Sequence, residues 1–463
     1  RNHNVDIFDC MRTTRRNFLK SAFAVGATAL AFPTIVPSSV LGRNGKVAPS
    51  NRVTMGFIGT GNQGTGDMSN FLRDKRVQVV AVCDVNRESD GYWSNAVAGR
   101  EPARRRVDDY YAKQQNNPNW KGCAVYADFR CLVSRPDIDA VEVATPDHWH
   151  AYLSIEAMKT GKAVYCQKPL ALTIYEGRQI ANAAKKYGTI FQCGSQQRSE
   201  MGFRLACEYV LNGGIGKLHT VRCGLPGGWP DFGQTAKYKT PTEVPDGFNY
   251  DFWLGPAPAA PYCKGRVGVN FRWIFDYSGG QLTDWGGHHP DIAQWGMGTE
   301  LTGPVEIREA KGYAPEDPLY NTFTDYYYEC IYDNGVKMIV SNKVEEGVTF
   351  EGTEGKVWVT RGRHKVTPDV NLFDLDEDDF KVKLYNSQDH YRNFIDCIYS
   401  GKQCIAPAEV AHRSITISHL GNIAMRLGVK NLKWDPVAER FTDNDAANAM
   451  LKREYRAPWK LTI

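Results

Sequence analysis

The sequence predicts an α/β protein, with an N-terminal Rossmann dinucleotide-binding domain and a C-terminal α+β domain carrying a large, mostly antiparallel open sheet. Three observations lead there. An apolar run of strand length, Val53 to Ile58, enters Gly59-Thr60-Gly61-Asn62-Gln63-Gly64 and then a helical stretch through Leu72. Strand-like and helix-like segments alternate from there to about residue 195, the order that builds a parallel sheet. Past residue 200 the chain turns to short alternating segments, the pattern of antiparallel strands with one covered face.

Each element of the first half has a role in that reading. Gly59 permits a tight turn, Gly61 lets a pyrophosphate approach the backbone, and Gly64 lets the helix pack on the strand. The helix start, with Asn62 and Gln63, offers unpaired N–H groups to phosphate. A second strand, Val77 to Val82, ends just before Asp84, placed to bond a ribose 2′-hydroxyl and repel a 2′-phosphate. NAD is therefore expected over NADP, although Arg87 is close by. The polar stretch from Asp90 to Asn119 reads as a long helix with an excursion and no chemistry. A strand from Ile138 to Val143 ends at Thr145-Pro146-Asp147-His148-Trp149-His150, followed by a helix from Ala151 to Thr160. Ligands bind at such carboxyl ends, so Thr145, Pro146, Trp149 and His150 join the expected cofactor set. A further strand, Gly161 to Cys166, delivers Gln167-Lys168-Pro169. A helix from Ile174 to Tyr187 and a strand from Thr189 to Cys193 close the domain, and the crossing segment places Gln196 over the cofactor.

The second half reads as strands at Lys217–Gly224, Val305–Ala310, Thr324–Tyr332, Val336–Asn342, Val348–Phe350 and Lys356–Thr360, with helices from His390 to Tyr399 and from Val410 to Leu427. An insert between Leu225 and Val269, rich in Gly, Pro and Trp, resists assignment, and loops of that length tend to be functional. The expected divisions are a leader over 1–42, the nucleotide domain over 52–195, the α+β domain over 196–440 and a tail over 441–463.

Composition excludes several classes. The net charge is +4, and residues 1–42 hold five basic and two acidic side chains, so the remainder is near neutral and nucleic acid is not the expected partner. Twelve cysteines without a CxxC pair suggest neither a disulfide framework nor a zinc ribbon, and Cys83, Cys166 and Cys193 read as buried thiols. Arg15-Arg16-Asn17-Phe18-Leu19-Lys20 before an apolar run resembles a twin-arginine export signal. That implies the twin-arginine machinery as a partner, a periplasmic location, and a cofactor loaded before export.

A second constellation is Gly279-Gly280-Gln281-Leu282-Thr283-Asp284-Trp285-Gly286-Gly287-His288-His289-Pro290-Asp291. Asp284 and His288 are four apart and share a face if helical; an Asp on one imidazole nitrogen leaves the other to accept a proton. Zinc ligation by His148, His150, His288, His289 and Asp291 is the competing reading. Positioning of cofactor and substrate explains the His-x-His pair more economically, and no metal is expected.

Strand-GxGxxG, then TPxxxH, then GKxVxxxKP and GGxxxDxxxHxxD together resemble the glucose-fructose oxidoreductase, inositol dehydrogenase and MocA family. That family usually has Glu-Lys-Pro where this chain has Gln167-Lys168-Pro169. The resemblance implies catalytic roles for Lys168, Asp284 and His288, a sugar, glycoside or cyclitol substrate, and a dimer or tetramer. The expected chemistry is hydride transfer: His288 takes the hydroxyl proton, Asp284 stabilises the imidazolium, and Lys168 steadies the alkoxide. Trp229, Arg272 and Trp273, with Lys168, Asp284 and His288, make up the expected substrate set; flat aromatic faces suit a pyranose. Export adds that the NAD stays bound. Ranked below are a redox-neutral NAD-dependent glycosidase and a non-catalytic NAD or sugar sensor.

Overall fold

The computed structural model describes residues 51–463, so the Arg15-Arg16 leader lies outside the described residues. From Val53 onward the chain is one compact unit. Among the described residues the first sheet has six parallel strands in the order β3-β2-β1-β4-β5-β6, with β1 Val53–Ile58, β2 Val77–Cys83, β3 Ala124–Tyr126, β4 Ala140–Val143, β5 Ala163–Cys166 and β6 Phe191–Cys193. Strands β4, β5 and β6 are buried at every residue, as strands covered on both faces are, with Glu142 and Gln192 the polar side chains among them. The order reverses between β1 and β4, which pair from Met55↔Ala140 to Ile58↔Val143. That reversal opens a crevice at the strands' carboxyl ends.

Helices α1 (Asn62–Phe71), α2 (Arg100–Gln115), α3 (Phe129–Val133), α4 (Asp147–Lys159) and α5 (Ile174–Tyr187) cross between these strands. The bounds of α5 coincide with the expected ones because its signals are complete. Thr173 Oγ1 accepts from Glu176 N at 3.2 Å, and Gly188 ends the helix with φ +63°, a conformation in which Gly carries no Cβ penalty. Between Asp90 and Asn119 the helix starts only at Arg100, after a turn holding Ser94 and Asn95 at φ 56° and 55°.

The second sheet has nine strands in the order β13-β12-β11-β7-β10-β9-β8-β14-β15. They are β7 Leu218–Gly224, β8 Glu306–Tyr313, β9 Asp325–Ile331, β10 Lys337–Ser341, β11 Gly347–Gly352, β12 Lys356–Thr360, β13 Arg363–Thr367, β14 Leu432–Asp435 and β15 Arg440–Phe441. All neighbours are antiparallel except β7 and β10. In β9 alternate residues are buried, as a sheet covered on one face requires. The covering helices are α6 (Met201–Leu211), α9 (His289–Met297) and α11 (Ala408–Leu427). Among the described residues the remaining α-helices are α7 (Tyr250–Leu254), α8 (Gln281–Gly286), α10 (His390–Ser400) and α12 (Asp445–Ala449).

Two features cut across the linear division of the chain. Phe394 and Ile395 of α10 share one apolar core with Met55, Phe57 and Phe71. The last residues pack back on α4 and α5: Arg453 Nη2 donates to His148 O at 2.7 Å, Tyr455 Oη to Glu176 Oε1 at 2.6 Å, and the Trp459 and Trp149 rings meet edge-on at 4.8 Å. Cys83, Cys166 and Cys193 are buried free thiols, as expected.

Candidate active site

A cleft of about 650 Å³ opens at the β1–β4 reversal. Gly59 and Gly64 are dictated by space. Gly59 has φ +87°, and a Cβ there would lie 2.6 Å from the Ala144 carbonyl carbon; one on Gly64 would lie 2.0 Å from the Gly59 oxygen. Both distances are below any real contact. The N-cap of α1, Gly61, gives no side-chain cap, which leaves the first N–H groups of a ten-residue helix directed at the cleft. Asp84 stands at its edge, accepting from Thr60 N at 2.7 Å and Asn86 N at 2.8 Å. Burial raises its carboxyl above the ordinary range, against those two bonds. A glycine cradle, an uncapped helix and a pinned carboxylate fit a dinucleotide. Gly59, Gly61, Asn62, Gln63, Asp84, Thr145, Pro146, Trp149, Gln167 and Lys168 all line the cleft, whereas Gly64 and Arg87 do not.

Two expected cofactor residues sit behind the wall. His150 is buried with Nδ1 2.7 Å from Pro169 O and Nε2 2.8 Å from Thr145 O; burial pushes it down to about 4, so the neutral ring donates to one carbonyl and ties the two loops together. Gln196 Nε2 points to Tyr165 Oη at 3.3 Å. His148 Nε2 donates to Trp253 O at 2.9 Å, the oxygen that also accepts Trp149 Nε1 at 3.0 Å.

At the far end of the cleft Lys168 Nζ donates to Asp284 Oδ1 at 2.8 Å, and Arg272 Nε reaches the same oxygen at 3.4 Å. Burial would raise Asp284, but the Lys168 and Arg272 charges outweigh it and hold the carboxylate well below its usual range. Asp284 lies inside α8, and His288 is the residue before α9. The expected Asp284–His288 hydrogen bond is corrected here: both Asp284 contacts are cationic, and His288 Nδ1 is buried without a partner. The helical break at Gly287 sets this geometry, since the four-residue spacing no longer stacks the two side chains on one face. Burial, with the Lys168 and Arg361 charges, pushes the His288 imidazole well down, so the ring is neutral. His288 nevertheless lies close enough to the pair for the Lys168 and Asp284 charges both to act on its imidazole.

The expected substrate set is only partly gathered at the cleft. Trp273 is fully buried, and Trp229 is half-buried with Nε1 donating to Thr322 O at 3.0 Å; neither lines the cleft. Of that set Lys168 and Arg272 line the cleft. Trp93 instead supplies the open aromatic surface. It is 41% exposed, stacks on Phe232 with centroids 4.0 Å apart, and carries the Arg272 guanidinium 5.6 Å from its ring. The neighbouring Gly91, Tyr92 and the insert's Tyr262 and Lys264 also line the cleft. The signal in the sequence was Gly91-Tyr92-Trp93, a turn residue before two large aromatics in an otherwise polar run.

Comparison with known proteins agrees with the geometry. Residues 53–195 match the family model described as "Oxidoreductase family, NAD-binding Rossmann fold", and residues 223–461 the one described as "Oxidoreductase family, C-terminal alpha/beta domain". Similar curated proteins include a "Glycosyl hydrolase family 109 protein" of a Shewanella species, 33% identical over 187 residues, and one of Shewanella baltica, 32% identical over 187 residues. The chain spans 37% of the length of these relatives, with 37% of its own length in the match. Among solved structures, aldose-aldose oxidoreductase from Caulobacter crescentus, complexed with glycerol, superposes with a TM-score of 0.56 at 17% identity, over 82% of this chain and 99% of that one. Scyllo-inositol dehydrogenase from Lactobacillus casei, with bound NAD(H) and scyllo-inositol, gives 0.54 at 18% identity over 82% and 99%. At these identities the structures speak to the fold. Through the two family models, the chain belongs to the Gfo/Idh/MocA oxidoreductase family, with an NAD-binding Rossmann domain as its N-terminal part.

Proposed function

We propose that this protein moves a hydride between a secondary alcohol carbon of a sugar, glycoside or cyclitol and a nicotinamide that stays bound. One observation carries the reading: Lys168 lines the same cleft as Gly59, Gly61 and Asp84, and is held there by Asp284. NAD, when bound, supplies the hydride acceptor and donor at its nicotinamide C4. Lys168, fixed by its ion pair, presents a cation where negative charge builds on the substrate oxygen. Asp284, itself also bonded by Arg272, holds that cation in place, and neutral His288 is in the form that accepts a proton. Asp84, bonded on both oxygens, favours a ribose hydroxyl over a 2′-phosphate. Arg15 and Arg16 suggest export to the periplasm, where free NAD is absent, so the nucleotide is captive and is regenerated in place. The half-exposed face of the nine-stranded sheet, with Tyr327 and Trp358, suits a dimer or tetramer interface.

A redox-neutral reading is favoured by the name of the Shewanella relatives: oxidation of a glycoside to a ketone, elimination of its aglycone, addition of water to the resulting enone, then reduction of the ketone. Both readings require nucleotide in the purified protein, and denaturation that releases none would sink them together. A near-ultraviolet NADH band that grows on adding a glycoside supports net oxidation. Aglycone release with no net change in that band selects the redox-neutral cycle.

A further inference from the structure

Behind the Lys168 loop lies a carboxylate that the site as described above does not use. Asp67, on α1, is 1% exposed and accepts three hydrogen bonds. Gln63 Nε2 and Tyr391 Oη reach Oδ1 at 2.8 and 2.7 Å, and Gln167 Nε2 reaches Oδ2 at 2.5 Å. Gln167 then uses its other amide atom: Oε1 accepts from Lys168 N at 3.2 Å. The far side of this amide is closed by Gly194, where a Cβ would lie 2.8 Å from it. A backbone N–H only donates, so the amide oxygen must face Lys168 and the amide nitrogen is left to face Asp67. We propose that Asp67 is the positioning residue of the lysine site, supplying from α1 the acid that Glu-Lys-Pro relatives carry next to their lysine and orienting Lys168 through Gln167.

The neighbouring strand explains why position 167 is an amide. Glu142 on β4 is fully buried with neither carboxyl oxygen hydrogen-bonded. Burial, and then the neighbouring Asp67, raise its carboxyl well above the ordinary range, so Glu142 holds its proton. A Glu at 167 would put a third carboxyl against this pair, and like charges at that range cannot all ionise. The amide removes the conflict and keeps the bond to Lys168 N–H. The same carboxylate also ties Gln63 of the glycine loop to Tyr391 of α10, so the glycine loop, the Gln167 loop and α10 are referenced to one group.

The proposal rests on the oxidoreductase reading for its consequence in turnover, and a charge-swap cycle tests it independently. Oδ1 takes both the Gln63 and Tyr391 bonds, so Asp67→Asn keeps those acceptors and turns Nδ2 toward residue 167. Alone, it sets an amide donor against an amide donor; alone, Gln167→Glu sets a carboxylate against a carboxylate. Together they restore one donor and one acceptor with the charge count unchanged. Each single variant should weaken NADH affinity, read by quenching of tryptophan fluorescence, and slow single-turnover reduction of the bound nicotinamide, each by about tenfold or more. The double variant should return to within about threefold of the wild type. A single variant indistinguishable from wild type, or a double no better than the worse single, overturns the proposal. If Asp67→Asn alone does not fold, the comparison of Gln167→Glu with the double decides, since adding the second change must then improve affinity. A cycle intact in affinity, with no turnover on any glycoside, supports Asp67 and overturns the oxidoreductase reading instead.

Discussion

Lys168 Nζ and Asp284 Oδ1 stand 2.8 Å apart, with both side chains less than 15% exposed, and His288 takes no part in the bond. Breaking a buried pair from one side leaves a charge uncompensated and costs several kcal/mol, whereas exposed pairs are worth little. The arrangement makes Asp284 the anchor of a cation. The imidazole is left neutral by burial, with no aspartate bonded to it.

A double-mutant cycle separates these roles. Lys168→Met with Asp284→Asn should show a coupling of ~1–3 kcal/mol in urea unfolding, and Asp284→Asn with His288→Gln one below ~0.5 kcal/mol. Lys168→Met should also slow hydride transfer by ~10²–10⁴-fold while nucleotide released on denaturation stays at wild-type level. Equal coupling in the two cycles would restore an Asp284–His288 dyad, and full turnover by Lys168→Met would remove the lysine from the chemistry.

The nucleotide half was legible because its signals are local. Val53–Ile58 and Ile174–Tyr187 have the expected bounds, each being fixed by residues next to it in the chain: a glycine turn for one, Thr173 and Gly188 for the other. What the sequence hid is set by contacts distant in the chain. Ala124–Tyr126 is a three-residue strand, too short for any periodicity to show, and Gly287 interrupts what spacing alone reads as one helical face. Trp273 and Trp93 look alike as letters. One is fully buried and the other 41% exposed, a difference made by the packing of the insert.

That difference gives the Trp93 prediction. With the Phe232 ring stacked 4.0 Å away and the Arg272 guanidinium 5.6 Å from its centroid, the indole is a preformed edge of the cleft. A Trp93→Ala change at so exposed a position should leave the unfolding midpoint nearly unchanged. It removes apolar contact from a bound ligand and weakens its hold on the Arg272 guanidinium. The expected result is a rise of ~5–30-fold in the Kd for NADH or in the KM for the glycoside, the range of one aromatic or cation–π contact of ~1–2 kcal/mol. Titration calorimetry with NADH and steady-state kinetics tell which ligand the indole touches, and no change in either would take Trp93 out of the site.

The last prediction concerns pH. Asp147, first residue of α4, is 4% exposed with Oδ2 unpartnered. Burial lifts its carboxyl from an ordinary 3.8 to about 7, against the pull of Ser278 and Arg272. Because the folded state binds this proton more tightly than the unfolded chain, its stabilising contribution is full below pH 3.8 and is lost as pH rises through about 7. An amide at this position has no proton to lose. The stability of Asp147→Asn relative to wild type should therefore grow with pH between those limits, by up to ~1 kcal/mol per pH unit, and level off above them. Urea midpoints of both proteins at several pH values across this window measure the slope. A difference that stays constant with pH would mean that Asp147 is ionised in the folded protein throughout, with a counter-charge closer than Arg272.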